Sequence, residues 1–474
     1  LRLRLHWDEE LVQVIDGIKN VEIDWRYINL YEEENNREDS VSTISSPEWE
    51  QIEAFQELKI KQIQEEDRKE RYKLEEGNLF RVYIIKQNED LYTCILSSHH
   101  AILDGWSNPI LFDYVHQTYQ KLTQGKILDP TWFAEDSVYL NAQKYLQDHQ
   151  KNNDEWWRNY LSKIEGLSST DLLSLTTKLN EKNDASFNLK DAINSHKRVE
   201  EPCSETLVIK DDLYQKLKRL SKNDGITLNV LLQYAWHKAL KVYGSNNIDS
   251  SSSPATVVGT VVSGRNLPID DIDTSVGLYI NTLPLVVEHG KGTYLLDDIR
   301  KLQNDLTEIN TRSNVNLPNL HKNGTRLFDT VFIFENYPIP TRRENAESSA
   351  RNINNTCIEE EVNIEFKKAI EKLDYPIAVF AYETTQPQGL TFSIKYAGEM
   401  FHNEVIEQLL HFTKALLSQV AEGLTNEATK DNFKIEDLTY LTQKEKELIL
   451  TQWNNTEVSH PRNKTIHQLF EEQV

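Results

Sequence analysis

The chain has 474 residues, enough for roughly two or three domain-sized cores, and carries a formal net charge of −23 at pH 7. This excess of acidic side chains argues against a nucleic acid as partner, because surfaces that bind nucleic acids are basic. The three cysteines stand far apart, no apolar run approaches the ~20 residues of a membrane span, and no secretory signal opens the chain. We therefore expect a cytoplasmic protein that does not contact a membrane.

The N-terminal half begins with strand-like alternation from Leu1 to Trp7. A stretch rich in Glu, Lys and Gln follows at 48–76, which predicts a charged helix with a solvated face. Two β-rich runs at 79–85 and 91–96 are separated by polar residues, and this pattern predicts a hairpin.

The second of these runs leads into a loop that contains two adjacent histidines. The sequence there is Ser97-Ser98-His99-His100-Ala101-Ile102-Leu103-Asp104-Gly105-Trp106-Ser107. Apolar residues at helical spacing follow Ser107, so we expect a strand, a loop and a helix. The histidines would then lie where a buried strand ends, a place where scaffolds often present reactive groups.

The histidine pair offers proton-transfer chemistry. A histidine near its ordinary pKa can accept a proton from an attacking nucleophile at neutral pH. Adjacent side chains of an extended segment point to opposite faces, so one imidazole can face a cleft while the other packs inward. Two alternatives stay open: a purely structural pair, and a metal site formed with Asp104. We expect no metal, because no second cluster of ligand residues stands out elsewhere.

The second half of the chain predicts a separate set of helices and strands. Residues 166–204 are polar and weakly periodic, which is typical of a connecting segment. Helices are expected at about 210–222 and from Thr227 to about Tyr243, followed by a buried strand at 255–262 that ends at Ser263-Gly264-Arg265.

A further strand is expected within Val276-Gly277-Leu278-Tyr279-Ile280-Asn281-Thr282-Leu283-Pro284-Leu285. Gly277 would let another element approach the backbone closely. Asn281 offers hydrogen bonds in an otherwise apolar segment, either to orient a substrate or to cap the strand.

Four segments agree in order and spacing with nonribosomal peptide synthetases, and the first three resemble the condensation domains of that family. The loop HHAILDG resembles the HHxxxDG core motif, VGLYINTLPL resembles VGxFVNTLPLR, and LFDTVFIFENYP at 327–338 resembles LFDTLFVFENYP. The tail from Trp453 resembles the start of an adenylation domain. The chain lacks the EGHGR-like segment of epimerization domains, and it has His99 where heterocyclization domains have aspartate. The resemblance therefore favours condensation over these two activities.

This resemblance implies an α/β (α+β) fold of two chloramphenicol acetyltransferase-like lobes. Each lobe would be a mixed sheet with helices, and the two would form a V around a central tunnel. We expect an N-terminal lobe with the catalytic loop at 1–167, an interlobe connection at 168–204, a C-terminal lobe at 205–435, and a linker with the start of an adenylation domain at 436–474. In the family a helix and a strand precede the segment that matches Leu1-Arg2, so the N-terminus is expected to be truncated.

The resemblance also implies roles for individual residues. His100 would be the active-site histidine, and Gly105 would keep the loop close to the reacting centre. His99 and Asp104 would be structural. Leu1-Arg2 matches the end of an early motif, RHxxLRTxF, whose arginine is expected to hold the motif aspartate, so Arg2 is the predicted partner of Asp104. The alternative is that Arg2 belongs to the solvated face of an edge strand. The expected substrate channel comprises Trp106, Ser107, Gly277, Tyr279 and Asn281.

The implied reaction is amide-bond formation between a donor peptidyl or aminoacyl thioester and the amine of an acceptor aminoacyl thioester. Both would arrive on phosphopantetheine arms of upstream and downstream peptidyl carrier protein domains, next to an adenylation domain of the same polypeptide. The domain itself would bind no cofactor and no metal. His100 would either remove the proton of the amine or orient the amine. A CoA-dependent acyltransferase of the same fold, or an epimerization or inactive carrier-docking relative, remains an alternative.

Overall fold

A computed structural model describes sixteen stretches of the chain, and these form two compact units. The described residues are 2–7, 11–17, 22–35, 48–128, 137–162, 196, 199–244, 255–290, 292–315, 327–335, 364–365, 367, 374–385, 387–441, 443–457 and 464–473. The first unit contains residues up to Gln150 and the later segment Ser263–Asn281. The second contains Lys151–Val262, Thr282–Asn336 and residues from Val362 onward.

The first unit has two small sheets and four α-helices, the last of them only in part, among its described residues. Its strands are β1 (Leu3–Trp7), β2 (Leu11–Ile15), β3 (Asp24–Asn29), β4 (Phe80–Lys86) and β5 (Tyr92–Ser98). Its helices are α1 (Leu30–Asn35), α2 (Glu48–Lys69), α3 (Ser107–Thr123) and the first part of α4 (Val138–Leu161). Strands β1 and β2 pair antiparallel. In the three-stranded sheet β3 lies parallel to β4, and β4 lies antiparallel to β5.

The predicted hairpin is β4–β5, and it determines where the histidine pair lies. Phe80 pairs with Ser98 at one end and Lys86 with Tyr92 at the other. In the turn, the Asn88 side-chain oxygen accepts the backbone N–H groups of the two residues before β5, at 2.8 and 2.7 Å. This local bond favours a tight turn and sets the register. Strand β5 therefore ends at Ser98, directly before His99.

The second unit is a six-stranded mixed sheet with helices. Its strands are β6 (Pro202–Ile209), β7 (Ala255–Val262), β8 (Asn281–Glu288), β9 (Thr330–Glu335), β10 (Ile377–Thr385) and β11 (Gln388–Ala397), in the order β6-β11-β10-β9-β7-β8. Its longer helices are α5 (Asp211–Asp224), α6 (Leu228–Gly244), α7 (Leu295–Thr311) and α8 (Asn403–Thr425). The tail has α9 (Gln443–Glu447), a π-helix (Leu448–Gln452) and α10 (Ile466–Glu471). Strand β9 is parallel to both β7 and β10.

The core of the second unit surrounds α6. Side chains from Val230 to Leu240 are buried on every face of this helix, including the fully buried Trp236. A helix that is covered all round must lie between other elements. The helices predicted at about 210–222 and 227–243 are confirmed as α5 and α6.

Two sequence-based boundaries differ from the structure. Residues 276–280 form no strand, because the backbone N–H groups of Gly277 and Tyr279 bond side chains instead of a neighbouring strand. The predicted connection 168–204 lies outside the described residues, apart from 196 and 199–204, and β6 already begins at Pro202. In the part of the chain that is described, no helix is both long and apolar enough to cross a membrane.

Candidate active site

The loop after β5 holds the two histidines in different environments. The His99 N–H donates to the Leu79 carbonyl at 2.9 Å, and the His99 carbonyl accepts from the Ile102 N–H at 3.2 Å. His99 is half-buried, whereas His100 is exposed at the start of the turn. These exposures agree with the expectation that one imidazole packs inward, and the expectation that the other faces a cleft stays a prediction.

His99 is held as a neutral imidazole. Its Nδ1 accepts a hydrogen bond from the Ala101 N–H at 3.1 Å, so the ring proton of this tautomer is assigned to Nε2. Burial, and then the nearby His100, lower the pKa of His99. Both effects keep His99 uncharged at neutral pH, which suits a structural residue.

The loop is anchored by the two apolar residues between the histidines and the aspartate. Ile102 and Leu103 are each 3% exposed and pack in a cluster with Leu5, Leu79 and Tyr139. Displacing the loop would expose both side chains, at a cost of about 1.5–3 kcal/mol each. The backbone between His100 and Asp104 is therefore fixed by hydrophobic burial.

Asp104 is buried and its carboxylate is surrounded by donors. Oδ1 accepts from the Ser107 N–H at 2.8 Å and from Ser107 Oγ at 2.7 Å, which secures the start of α3. Oδ2 accepts from the Tyr279 N–H at 3.0 Å. The guanidinium of Arg265 completes the set, with Nη2 3.2 Å from Oδ1 and 3.4 Å from Oδ2.

Arg265 joins the aspartate to the segment after β7. Its Nη1 donates to the carbonyls of Ile272 and Ser275, at 2.6 and 2.9 Å. Its guanidinium carbon lies 4.1 Å from the centroid of the Tyr279 ring. These hydrogen bonds and the ring contact hold a charge that would be costly to bury alone.

The prediction that Arg2 holds Asp104 is wrong. Arg2 Nη1 donates to the Asp16 carbonyl at 2.7 Å, which lies within the β1–β2 region. Asp104 does have an arginine partner, but it is Arg265, which comes 161 residues later in the chain. The usable signal in the sequence was an arginine placed directly after the buried strand 255–262, in Ser263-Gly264-Arg265.

Ser107, Gly277 and Tyr279 are brought together, but as buried contacts rather than as channel lining. Ser107 is fully buried, and its Oγ accepts from the Gly277 N–H at 3.0 Å while lying 2.7 Å from the Gly277 carbonyl. A Cβ on Gly277 would lie 2.4 Å from the Tyr139 ring. Tyr279 is 7% exposed and meets Tyr139 edge to face at 5.3 Å. Their predicted role as channel lining is therefore corrected: these groups brace the loop.

The other predicted site residues remain accessible. Trp106 is half-buried and its Nε1 donates to the Asp273 carbonyl at 3.0 Å. Gly105 is half-buried in the turn before α3, and Asn281 is half-buried as the first residue of β8. Within the described ranges no group of three or more His, Cys, Asp or Glu could hold a metal ion. The oxygens of Asp104 are already occupied by donors, so it does not offer the free ligand that a metal site with the histidines requires.

A family comparison decides what kind of protein presents this loop. A sequence model of the family described as Condensation domain matches residues 1–450. The chain belongs to the condensation-domain family. The resemblance to condensation domains is thereby confirmed.

Curated relatives of this condensation domain are much longer proteins. The chain is 35% identical over 479 residues to N-(5-amino-5-carboxypentanoyl)-L-cysteinyl-D-valine synthase of Penicillium rubens, and 36% identical over 480 residues to the synthase of the same name from Amycolatopsis lactamdurans. It is 27% identical over 481 residues to bacitracin synthase 3 of Bacillus licheniformis. All of the chain is matched in each case, and it spans 11%, 12% and 6% of these relatives.

Solved structures share the fold of this condensation domain at low identity. The first condensation domain of the calcium-dependent antibiotic synthetase, in complex with substrate analogue 3a, has a TM-score of 0.56 and 13% identity, with 93% of this chain and 87% of that chain covered. The starter condensation domain of rhizomide synthetase has a TM-score of 0.58 and 15% identity, with 93% and 85% covered. The predicted α/β fold of chloramphenicol acetyltransferase type is confirmed.

The family membership also confirms the enzyme class. Condensation domains of nonribosomal peptide synthetases catalyse peptide-bond formation, which is an acyl-transfer reaction.

Proposed function

We propose that His100 is the catalytic residue of this condensation domain and acts on the amine of an acceptor aminoacyl thioester. The single observation that carries this role is that the two histidines differ in burial and in hydrogen bonding. His99 is turned inward and its Nδ1 is bonded to Ala101, whereas His100 is exposed on a loop anchored by Ile102, Leu103 and Asp104. An exposed imidazole on a rigid loop is suited to meet a substrate.

The reaction transfers an acyl group from sulfur to nitrogen. The acceptor amine attacks the donor thioester carbonyl, the carbonyl C–S bond breaks, and the leaving thiolate takes up the proton that the amine loses. His100 either carries that proton or holds the amine by a hydrogen bond while the proton leaves by another route. Backbone N–H groups of the turn at Gly105 would stabilise the oxyanion.

Both substrates would arrive as thioesters on the phosphopantetheine arms of peptidyl carrier protein domains. The large size of the curated relatives supports neighbouring carrier and adenylation domains in one polypeptide. Tethering both substrates supports a large rate acceleration from positioning alone, because effective molarities of positioned groups reach about 10^5 M or more. Cys94 and Cys203 are free thiols, which supports a reducing compartment such as the cytoplasm.

The test is dipeptide formation in trans with one donor-loaded and one acceptor-loaded carrier protein. His100→Ala is expected to lower the single-turnover rate by about 100-fold or more with an unchanged melting temperature. His149→Ala removes an exposed histidine of the same unit and serves as the matched control, with an unchanged rate expected. A His100→Ala rate within threefold of wild type would overturn the assignment (a threshold of about 0.6 kcal/mol).

Two further measurements separate the remaining interpretations. His100→Gln keeps hydrogen-bonding groups but accepts no proton near neutral pH, so it should match His100→Ala if His100 is a general base. If His100 only orients the amine, the Gln variant should be faster than the Ala variant. Turnover with a soluble CoA thioester, and none with a loaded carrier protein as donor, would favour the acyltransferase alternative.

A further inference from the structure

Tyr72 contacts the first histidine from the chain segment between α2 and β4. Its ring meets the His99 ring edge to face, with centroids 6.1 Å apart and planes at 82°. Its hydroxyl lies 2.8 Å from Ser97 Oγ on strand β5. We propose that Tyr72 is a positioning residue for the turn that presents His100. This inference rests on the proposed role of His100 and extends the active site to residues that do not touch the substrate.

Tyr72 is itself held by a buried arginine. The guanidinium carbon of Arg81 lies 4.0 Å from the centroid of the Tyr72 ring, and Arg81 is 4% exposed. Arg81 Nη2 donates to the carbonyls of Asp67 and Glu70, both at 3.1 Å, at the C-terminal end of α2. A cation on an aromatic face and at a helix C-terminus is favourable in both contacts. The Tyr72 ring therefore packs against a fixed surface.

Asp67 is the centre of this cluster and determines the direction of its hydrogen bonds. Its Oδ1 accepts from Arg81 Nε at 2.7 Å and from the Tyr83 hydroxyl at 2.9 Å. Its Oδ2 accepts from Ser97 Oγ at 2.5 Å. Because Ser97 donates its only hydroxyl proton to Asp67, the Tyr72 hydroxyl must donate to Ser97. Burial raises the pKa of Asp67, but the hydrogen bonds from Arg81, Ser97 and Tyr83 outweigh this effect. The pKa of Asp67 is therefore held below its ordinary value.

The cluster acts on two alternate residues of the strand end. Ser97 and His99 are two residues apart, so their side chains fall on the same face. Tyr72 bonds the first through its hydroxyl and contacts the second through its ring. The His99 ring is thus confined between Tyr72 and the Ala101 N–H, and the His99 backbone is bonded to Leu79 and Ile102. A change in the tilt of His99 would pass directly to His100, its neighbour in the chain.

The experiment compares three variants of the full chain in the carrier-protein assay. Tyr72→Leu removes the ring contacts and the hydroxyl, and kcat should fall by about tenfold or more with KM within about twofold, because a displacement of about 1 Å at a reacting group is costly. Tyr72→Phe keeps the ring and should retain kcat within about twofold. Tyr83→Phe is the matched control: it removes the hydrogen bond from the Tyr83 hydroxyl to Asp67 in the same cluster. Tyr83 makes no ring contact with His99 among the contacts described, so kcat should be unchanged.

A spectroscopic measurement reports on His99 without catalysis. In the 15N spectrum of a histidine-labelled sample, His99 should show a single neutral tautomer with the proton on Nε2. Tyr72→Leu should give a mixture of tautomers and a pKa closer to the ordinary value, whereas Tyr72→Phe and Tyr83→Phe should leave the His99 signals unchanged. If Tyr72→Leu fails to fold, Tyr72→Met takes its place as the variant without a ring.

The outcomes separate this inference from the proposed function. Full kcat and an unchanged His99 spectrum in the ring-deleted variant, with His100→Ala inactive, would overturn the role of Tyr72 alone. An active His100→Ala would overturn the proposed function, while the His99 spectrum would still decide whether Tyr72 positions that ring. An equal loss of kcat in Tyr83→Phe and Tyr72→Leu would show a general loss of stability and would also overturn the inference.

Discussion

Asp104 and Arg265 form a buried ion pair between residues 161 positions apart, with Arg265 Nη2 3.2 Å from Asp104 Oδ1. The side chains are 0% and 2% exposed. Because each charge is removed from water, each depends on the other for compensation. The pair also connects the start of α3 with the segment after β7, so it holds the loop of His99 and His100 from its far end.

Removing one partner of this ion pair should strongly destabilise the folded protein. Arg265→Met and Asp104→Asn should each lower the free energy of unfolding by about 3–5 kcal/mol. The double variant should be less destabilised than the sum of the two, since no charge is then left unpaired. Urea denaturation followed by circular dichroism measures these values. Arg2→Ala is the control, because it removes a hydrogen bond to the Asp16 carbonyl worth about 1 kcal/mol. Equal losses for Arg2→Ala and Arg265→Met would contradict the assignment of the partner.

Ser107 should be more important for stability than its small side chain suggests. Ser107→Ala removes the acceptor of the Gly277 N–H and a donor to Asp104, at an expected cost of about 1–3 kcal/mol. Hydrogen exchange of the Gly277 amide should become faster, while the Ser107 amide keeps its bond to Asp104. Ser98→Ala changes an exposed serine at the end of β5 and should leave the exchange of both amides unchanged. Unaltered exchange at Gly277 in Ser107→Ala would count against the bracing role.

Gly277 should not tolerate a side chain. The Cβ of Gly277→Ala would lie 2.4 Å from the Tyr139 ring, which is itself buried, so the variant should lose about 1–3 kcal/mol. Thermal unfolding measures the loss. Gly17→Ala is the control, since a Cβ there meets nothing within 4 Å. Combining Gly277→Ala with Tyr139→Leu should cost less than the sum of the single changes. An unchanged melting temperature in Gly277→Ala would contradict the close packing of Gly277 against the Tyr139 ring.

A buried polar chain in the second unit predicts acid sensitivity. Lys238 Nζ lies 3.2 Å from Asp298 Oδ2 and 3.3 Å from His289 Nδ1, and Thr256 Oγ1 lies 3.0 Å from His289 Nε2 and 2.7 Å from His237 Nδ1. Burial, and then Lys238, lower the pKa of His237 to about 3, and the same causes lower the pKa of His289. Both histidines are therefore neutral in the folded protein.

The sign of the pH dependence follows from these shifts. As the pH falls below the ordinary histidine pKa of about 6.5, the unfolded chain binds protons that the folded chain excludes until about pH 3. The contribution of these histidines to the free energy of unfolding is therefore fully present above about pH 6.5. It is lost as the pH falls from about 6.5 towards 3, by up to ~1.4 kcal/mol per pH unit for each histidine. His237→Gln should reduce the slope of unfolding free energy against pH by about that amount. A slope in His237→Gln that equals the slope of the wild type would refute the prediction.

Local patterns in the chain predicted several elements correctly. The hairpin β4–β5, helices α5 and α6, and strand β7 were all expected from alternation, helical periodicity and turn residues. These elements follow from interactions between residues close in sequence. The strand expected to begin before Asn281 was misplaced because its amides bond Ser107 and Asp104, which no local pattern reveals.

By itself the sequence determined the family, the α/β fold class and the position of the histidine pair at a strand end, because contiguous motifs and periodicity carry that information. Only the tertiary structure decided that Arg265 rather than Arg2 holds Asp104, and that Tyr72 contacts His99. These pairs join residues from separate elements, and their meeting depends on how hydrophobic burial packs those elements together. Side-chain chemistry can name candidates for such a pair, but burial and distance select the partner.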